Sequence, residues 1–185
     1  MYSEKERLAL LTTDGWTTRL VTRENPIEKG DFTMRIEKRM KELGIPLPEL
    51  SNTGNQFIPA RTIGNLIFTS GSTALVDGKL LLAGRVGKEV TMEQAEEAAR
   101  ICLVNCLAKA KAELGDLDRI VKVIKINGFV ASAEGFRNQS GVMNAASELA
   151  IDLFGEAGKH ARTALGVAEL PGGSPVEVEI IAEYR

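Results

Sequence analysis

The chain has 185 residues, the length of one domain with an extension. Its hydrophobic fraction of 44% and charged fraction of 26% are ordinary for a globular protein. A formal net charge of −2 offers no basic footprint for nucleic acid, and no apolar run approaches the roughly 20 residues that span a bilayer. Because no apolar secretory core follows the N-terminus, we expect a cytoplasmic protein with no membrane partner.

The sequence predicts an N-terminal extension followed by a single domain. Ser3 and Glu6 have the spacing of a capping box for a short helix through Leu11. The residues that follow are polar and interrupted by Gly and Pro, which is typical of loops, and we assign residues 1–33 to an N-terminal extension of uncertain structure. Residues 34–185 are predicted to form a single domain. Two alternatives stay open for the extension: Met34 is the natural start, or Trp16 and its neighbours dock on the domain or on another subunit.

The first elements of the predicted domain are a short helix and a group of short strands. Residues 34–43 place apolar side chains on one helical face among charged ones. Residues 57–60 and 66–70 are short apolar runs bounded by turns at residues 51–54 and 63–65, and we expect them to pair as antiparallel strands. Asp77-Gly78 predicts the turn of a further hairpin.

Two longer helices are predicted in the second half of the chain. Thr91 and Gln94 have the spacing of a capping box, and small apolar residues line one face of the helix that Gly115 ends. A second helix is predicted over residues 139–154. Between the two helices, residues 120–130 are rich in β-branched side chains and predict the strongest strand.

The two cysteines, Cys102 and Cys106, lie four residues apart on one face of the first long helix. That spacing does not fit the geometry of a disulfide. The chain has a single histidine, so the cysteines also lack partners for a tetrahedral metal site. We therefore expect them to be reduced residues of the core.

The C-terminal stretch predicts two strands around a tight turn. Residues 163–170 form the first strand, residues 170–175 the turn, and a strand with alternating Val and Glu begins at Val176. The resulting order, ββ(β)-α-β-α-ββ, indicates an α/β protein of the α+β layered kind, with two main helices on one sheet face. The opposite sheet face then has a reason to be buried by oligomerisation.

Few residues in the chain point to chemistry. It contains no Gly-x-Gly-x-x-Gly, Walker-type, Cys-x-x-Cys or His-Glu-x-x-His motif, so nucleotide-cofactor and zinc chemistry lose their usual support. Arg162 offers a rigid fork of donors that matches a carboxylate. Glu177 can hold and partly deprotonate a water molecule. The alternative is a solvated edge strand with ordinary surface charges.

Several stretches resemble the YjgF/RidA family and its branch labelled chorismate mutase-like or endoribonuclease. They are residues 66–71, 84–87, 158–167, Leu170-Pro171 and residues 176–179. The resemblance covers roughly residues 57–184. It implies the chorismate mutase-like fold, with a mixed and mostly antiparallel sheet, and a homotrimer with ligand clefts between subunits.

The resemblance also implies an activity. Members of the family act as enamine/imine deaminases, which hydrolyse reactive 2-imino acids to 2-keto acids and ammonia without a cofactor. Arg162 matches the arginine that binds the substrate carboxylate, and Glu177 matches the residue that positions the attacking water. Ser70 and Gly71 match the strand-end element at the pocket. The expected partner is therefore a small carboxylate-bearing metabolite.

Four further residues match positions of interest in the family. Asn144 lies where the second helix often has an asparagine, and a helix-packing role fits it equally well. Phe57 replaces a common pocket tyrosine and loses its hydroxyl, whereas Ala164 replaces a cysteine and keeps the backbone amide. His160 is either a loop imidazole or a group of the pocket wall that titrates near neutrality.

Three functions follow for comparison. The first is a cofactor-free imine hydrolase, which requires Arg162 and Glu177 to face one cavity at a subunit boundary. The second is a non-catalytic trimer that binds or senses a metabolite carboxylate. The third is the endoribonuclease or translation inhibitor of the family label, for which a single histidine and the absence of a basic tract give little support.

Overall fold

The computed structural model describes residues 35–50 and 57–185. The predicted extension, its boundary with the domain and the turn expected at residues 51–54 lie outside the described residues. In the part that the structure describes, no helix is both long enough and apolar enough to cross a bilayer.

The three helices predicted within residues 34–185 are confirmed. They are α1 (Arg35–Glu42), α2 (Met92–Leu114) and α3 (Gln139–Phe154). The capping box of α2 is present, with the Gln94 amide donating to Thr91 Oγ1 at 3.3 Å and the Thr91 amide donating to Gln94 Oε1 at 2.9 Å. Together these bonds satisfy two N–H groups that a helix start leaves without an intrahelical partner.

Eight strands accompany the helices in the described chain. They are β1 (Ala60–Ile63), β2 (Leu66–Thr69), β3 (Ser72–Thr73), β4 (Leu75–Val76), β5 (Lys79–Leu80), β6 (Ile120–Ala131), β7 (Ala161–Val167) and β8 (Val176–Tyr184). Six of them form one sheet in the order β1-β2-β8-β6-β7, with β3 also paired to β8. Only the β6–β7 pair is parallel. The predicted hairpin is the β4–β5 pair, whose turn has Asp77 at a φ of 50°.

Two predicted strands have the wrong bounds. The first, predicted over residues 57–60, begins at Ala60 and continues to Ile63, because Pro59 has no N–H for a ladder bond and the chain turns after Ile63. The strand predicted over residues 163–170 runs from Ala161 to Val167. Its end follows from its neighbour, since Val167 pairs with Ala131, the last residue of β6.

The core lies between the sheet and the helices. Both α2 and α3 pack on the same sheet face, where the buried strand residues include Ile67, Ile126, Val178 and Ile180. Cys102 and Cys106 are free and buried, as predicted. Their thiols donate to the backbone oxygens of Val176 and Val178 at 3.4 and 3.1 Å.

The opposite sheet face has no described helix on it. Its apolar side chains come from five strands and include Ile63, Phe68, Phe129, Leu165 and Ile181. Ile63 is 69% exposed and Leu165 is 51% exposed. We call this surface the open face. Exposed apolar side chains on an uncovered sheet face commonly mark an interface.

Candidate functional site

Arg162 lies on β7, the strand at the edge of the sheet. In the register of the sheet it is aligned with Ile126 of β6, which is aligned with Ile180 of β8. Both isoleucines are buried beneath the helices. Since residues aligned across strands project to the same side, Arg162 projects toward the helical face.

The Arg162 guanidinium is held by α3. Its Nη1 donates to Asn144 Oδ1 at 2.9 Å and to Ser147 Oγ at 3.0 Å, and its Nη2 donates to the Ser140 carbonyl at 3.3 Å. A guanidinium has five N–H donors. Nε–H and one Nη2–H therefore have no acceptor among the described residues, and this pair can still bind a carboxylate.

His160 contacts Arg162 indirectly, through the hydroxyl group of Ser147. Its Nδ1 is 2.6 Å from the Gly158 carbonyl, which can only accept, so Nδ1 bears the hydrogen. In the neutral ring Nε2 then accepts from the Ser147 hydroxyl at 3.0 Å, while the Ser147 oxygen accepts from Arg162. The half-buried His160 thus supports the orientation of Arg162 through Ser147.

Glu177 lies on β8, aligned with Phe129 of β6 and Thr73 of β3. Its chain neighbours Val176 and Val178 are buried beneath the helices, so Glu177 projects to the open face. Burial raises the pKa of its carboxyl above the ordinary value, and nearby Lys109 opposes that rise.

Arg162 and Glu177 therefore lie on opposite faces of the sheet. The sheet has no register irregularity between Ile126 and Val130, the part of β6 that aligns with both residues. A single chain does not bring the guanidinium and the carboxylate to one cavity. A site that uses both requires two copies, and the expectation that they meet at a subunit boundary stays a prediction.

The Glu177 carboxylate lies directly against the backbone of Gly71. A Cβ at position 71 would collide with Glu177 Oε1, so this close approach requires glycine. The Gly71 N–H has no acceptor among the residues that the structure describes. Ser70 is adjacent, but its hydroxyl donates to the Ile58 carbonyl at 2.7 Å, which leaves only its lone pairs for a ligand.

Two of the remaining predicted site residues lie on the side of Arg162, and one does not. Ala164 projects to the same face as Arg162, two residues further along β7, and is half-buried. Asn144 contacts Arg162 directly. Phe57 is 60% exposed and precedes β1, so one chain does not bring it to Arg162.

Sequence reasoning missed Lys109, Ser147 and Ser140. Lys109 Nζ donates to the carbonyls of Ser70 and Gly71 at 3.2 and 2.6 Å. A signal for Lys109 was present, since it follows Cys106 by three residues and so lies beside the buried stripe of α2. Charged residues seldom occupy such positions without a partner.

No metal centre is evident in residues 35–50 and 57–185, where no group of three His, Cys, Asp or Glu side chains is arranged to bind an ion. Two shallow cavities of about 480 and 390 Å³ flank α1. Neither is lined by Arg162 or Glu177.

Comparisons with known proteins agree on one family. The family model described as "YjgF/chorismate mutase-like, putative endoribonuclease" matches residues 37–184. Protein TCP17 of Trypanosoma cruzi is 37% identical over 152 residues, which cover 82% of this chain and 95% of that protein.

Two solved structures illustrate the similarity of fold. The protein Atu1372 of Agrobacterium tumefaciens, described as of unknown function, is 44% identical with a TM-score of 0.76, over 83% of this chain and 94% of that one. A protein of Shewanella oneidensis described as a putative endoribonuclease is 29% identical with the same TM-score, over 80% and 98% of the two chains.

Proposed function

Because the chain belongs to the YjgF/chorismate mutase-like family, we propose that it is a cofactor-free deaminase that hydrolyses 2-imino acids to 2-keto acids and ammonia. The observation that best supports this reaction is the Glu177 carboxylate, which lies half-buried against Gly71 with a raised pKa. A general base works best when its pKa is close to the working pH, and burial moves Glu177 in that direction.

Arg162 is the proposed binding group for the substrate carboxylate. Asn144, Ser147 and the Ser140 carbonyl fix the guanidinium while Nε–H and one Nη2–H stay available. Because the Arg162 guanidinium is already held in place in the free protein, the side chain loses little conformational entropy when it binds a carboxylate. Lysine could not offer this paired geometry.

The proposed site is shared by two copies of the chain. Arg162 projects to the helical face at the sheet edge, whereas Glu177 projects to the open face. A second copy whose β7 edge packs against the open face would bring Arg162 of one copy to Glu177 of the other. Closed cyclic assembly repeats this contact, and the family resemblance favours a trimer.

The reaction needs no redox partner. Glu177 accepts a proton as the water oxygen bonds to C2 of the imino acid, and the C=N electron pair moves to nitrogen. The proton on Glu177 then passes to that nitrogen, which gives a carbinolamine. Glu177 next takes the proton of the new hydroxyl group and passes it to the nitrogen, the C2–N bond breaks, and ammonia leaves as the C2–O double bond forms. One imino acid and one water thus give one keto acid and one ammonia.

The test is an amino-acid dehydratase assay in which released keto acid is measured with and without the purified protein. We expect the protein to accelerate keto-acid release, and Arg162→Ala or Glu177→Gln to reduce the gain by about 100-fold or more. Arg100→Ala and Glu42→Gln are matched controls, since each removes one exposed surface ion pair of the helices, away from Arg162 and Glu177.

Two outcomes would replace this proposal. Saturable keto-acid binding by calorimetry without ammonia release from any imine would indicate a carboxylate-binding protein instead. Cleavage of RNA that depends on His160 would favour the family label, although both ring nitrogens of His160 already contact the Gly158 carbonyl and Ser147.

A further inference from the structure

From the helical side of the sheet, Lys109 contacts Ser70 and Gly71, the two residues between β2 and β3 that lie beside Glu177. It lies on α2, and its ammonium donates to the two successive carbonyls of Ser70 and Gly71. This segment joins β2 to β3, both of which pair with β8. Lys109 is half-buried, and that burial lowers the pKa of its amine.

The two bonds from Lys109 fix the direction of the backbone amides. A trans peptide is planar, so the N–H of one residue points opposite to the carbonyl of the residue before it. With the Ser70 and Gly71 carbonyls both turned toward Lys109, the N–H groups of Gly71 and Ser72 point away from it. The Gly71 N–H is the one with no acceptor in the described chain.

Lys109 is also the cation that influences Glu177. The charged and titratable groups near this carboxyl are Lys109, which lowers its pKa, and Glu179 of the same strand, which raises it. The aligned neighbours from β3 and β6, Thr73 and Phe129, have no charge. The thiols of Cys102 and Cys106 on α2 stay protonated because burial raises their pKa.

We propose that Lys109 is a positioning residue of the deaminase site: its bonds to the Ser70 and Gly71 carbonyls orient the Gly71 amide toward the substrate and place a positive charge near the Glu177 carboxylate. This inference rests on the proposed function for its catalytic meaning. Lys109 itself contacts the backbone and not the substrate. A role limited to packing would leave the titration of Glu177 unchanged.

The test follows the titration of Glu177 by NMR of protein labelled with ¹³C at the glutamate carboxyls. The Glu177 signal is assigned by its loss in Glu177→Gln. We expect Lys109→Met and Lys109→Gln to raise the pKa of Glu177 by about one pH unit, because both remove the nearby positive charge. Lys109→Arg keeps the charge and should restore the wild-type titration.

Lys111→Met is the matched control. Lys111 lies two residues further along α2 and pairs with Glu37 of α1 at 2.7 Å, so its loss removes a charge without affecting Glu177. If Lys109→Met does not fold, Lys109→Gln gives the same comparison with a side chain that can still donate to a carbonyl. An identical Glu177 titration in the wild type and Lys109→Gln would overturn the proposal.

Activity measurements separate this inference from the function on which it rests. In an active enzyme the acid limb of the kcat/KM profile should move to higher pH in Lys109→Gln by the same amount as the Glu177 titration. A wild-type protein that hydrolyses no imine would refute the deaminase, while the NMR titration would still decide whether Lys109 controls Glu177.

Discussion

The two halves of the proposed site are built in different ways. On the helical face, Arg162 is held by three acceptors from one helix and is supported by His160 through Ser147. On the open face, Glu177 lies against the backbone of Gly71 and is influenced by one nearby cation, Lys109. The binding half is thus preorganised by hydrogen bonds, whereas the reactive half is tuned by burial and charge.

This difference has a consequence for assembly. Each chain holds one complete half on each side of its sheet, and no described helix covers the open face. In the proposed assembly, one contact between copies would both join the halves and cover the apolar open face. Assembly and activity should therefore be lost together, which gives the comparison its sharpest tests.

The largest effect is expected from a charge placed on the open face. Leu165 is 51% exposed in one chain and projects to that face, so Leu165→Glu should disrupt the contact between copies. We expect a monomer by sedimentation and a loss of turnover of about 100-fold or more. Ile151→Glu on α3, also at an exposed apolar residue, should leave both properties intact.

A methyl group at Gly71 should disturb the reactive half alone. In Gly71→Ala the new Cβ meets the Glu177 carboxylate and displaces it, and we expect a stability loss of about 1–3 kcal/mol together with reduced turnover. In a Glu177→Ala background, Gly71→Ala should reduce the free energy of unfolding by much less. Equal costs in both backgrounds, measured by urea unfolding, would show that Glu177 is not the group displaced.

Ser147→Ala should weaken the binding half by a smaller amount. It removes one of three acceptors of Arg162 and the link to His160, while Asn144 still holds Nη1. We expect KM to rise about tenfold or less, the loss of one charge-assisted hydrogen bond, with kcat little changed. A loss confined to kcat would contradict the assignment of Arg162 to substrate binding.

The smallest effect concerns stability and pH. The pKa of Glu177 is raised by burial, so the folded chain holds this proton more tightly than the unfolded chain does. Stability should therefore fall as pH rises from the ordinary carboxyl value through the raised one. Glu177→Gln removes this titration. Its melting temperature should equal that of the wild type below the ordinary carboxyl pKa and exceed it above the raised one. A difference in melting temperature that does not vary with pH would refute the raised pKa of Glu177.

Local signals in the sequence predicted the helices and the order of elements, and the chorismate mutase-like fold is confirmed. The capping box at Thr91 and the glycine at position 115 mark the ends of α2 by chemistry within a few residues. The ends of β1 and β7 were wrong because strand bounds depend on the partner strand, which lies far away in sequence.

The same reason limits what the sequence says of the site. Arg162 and Glu177 could be selected by residue type and resemblance, but their placement on opposite faces follows from the register of β7 on β6 and of β6 on β8. The spacing of Lys109 from Cys106 indicated that it lies beside the buried stripe of α2, but its acceptors could not be predicted because backbone carbonyls have no signature in the sequence.

The central claim, that two copies share each site, is tested most directly by mixing two inactive variants. Arg162→Ala retains Glu177, and Glu177→Gln retains Arg162, so trimers reassembled from equal amounts of both should contain complete sites. Random mixing predicts recovery of about a quarter of the wild-type imine hydrolysis. No recovery in mixed trimers, with subunit exchange verified by mass spectrometry, would contradict a site shared between copies.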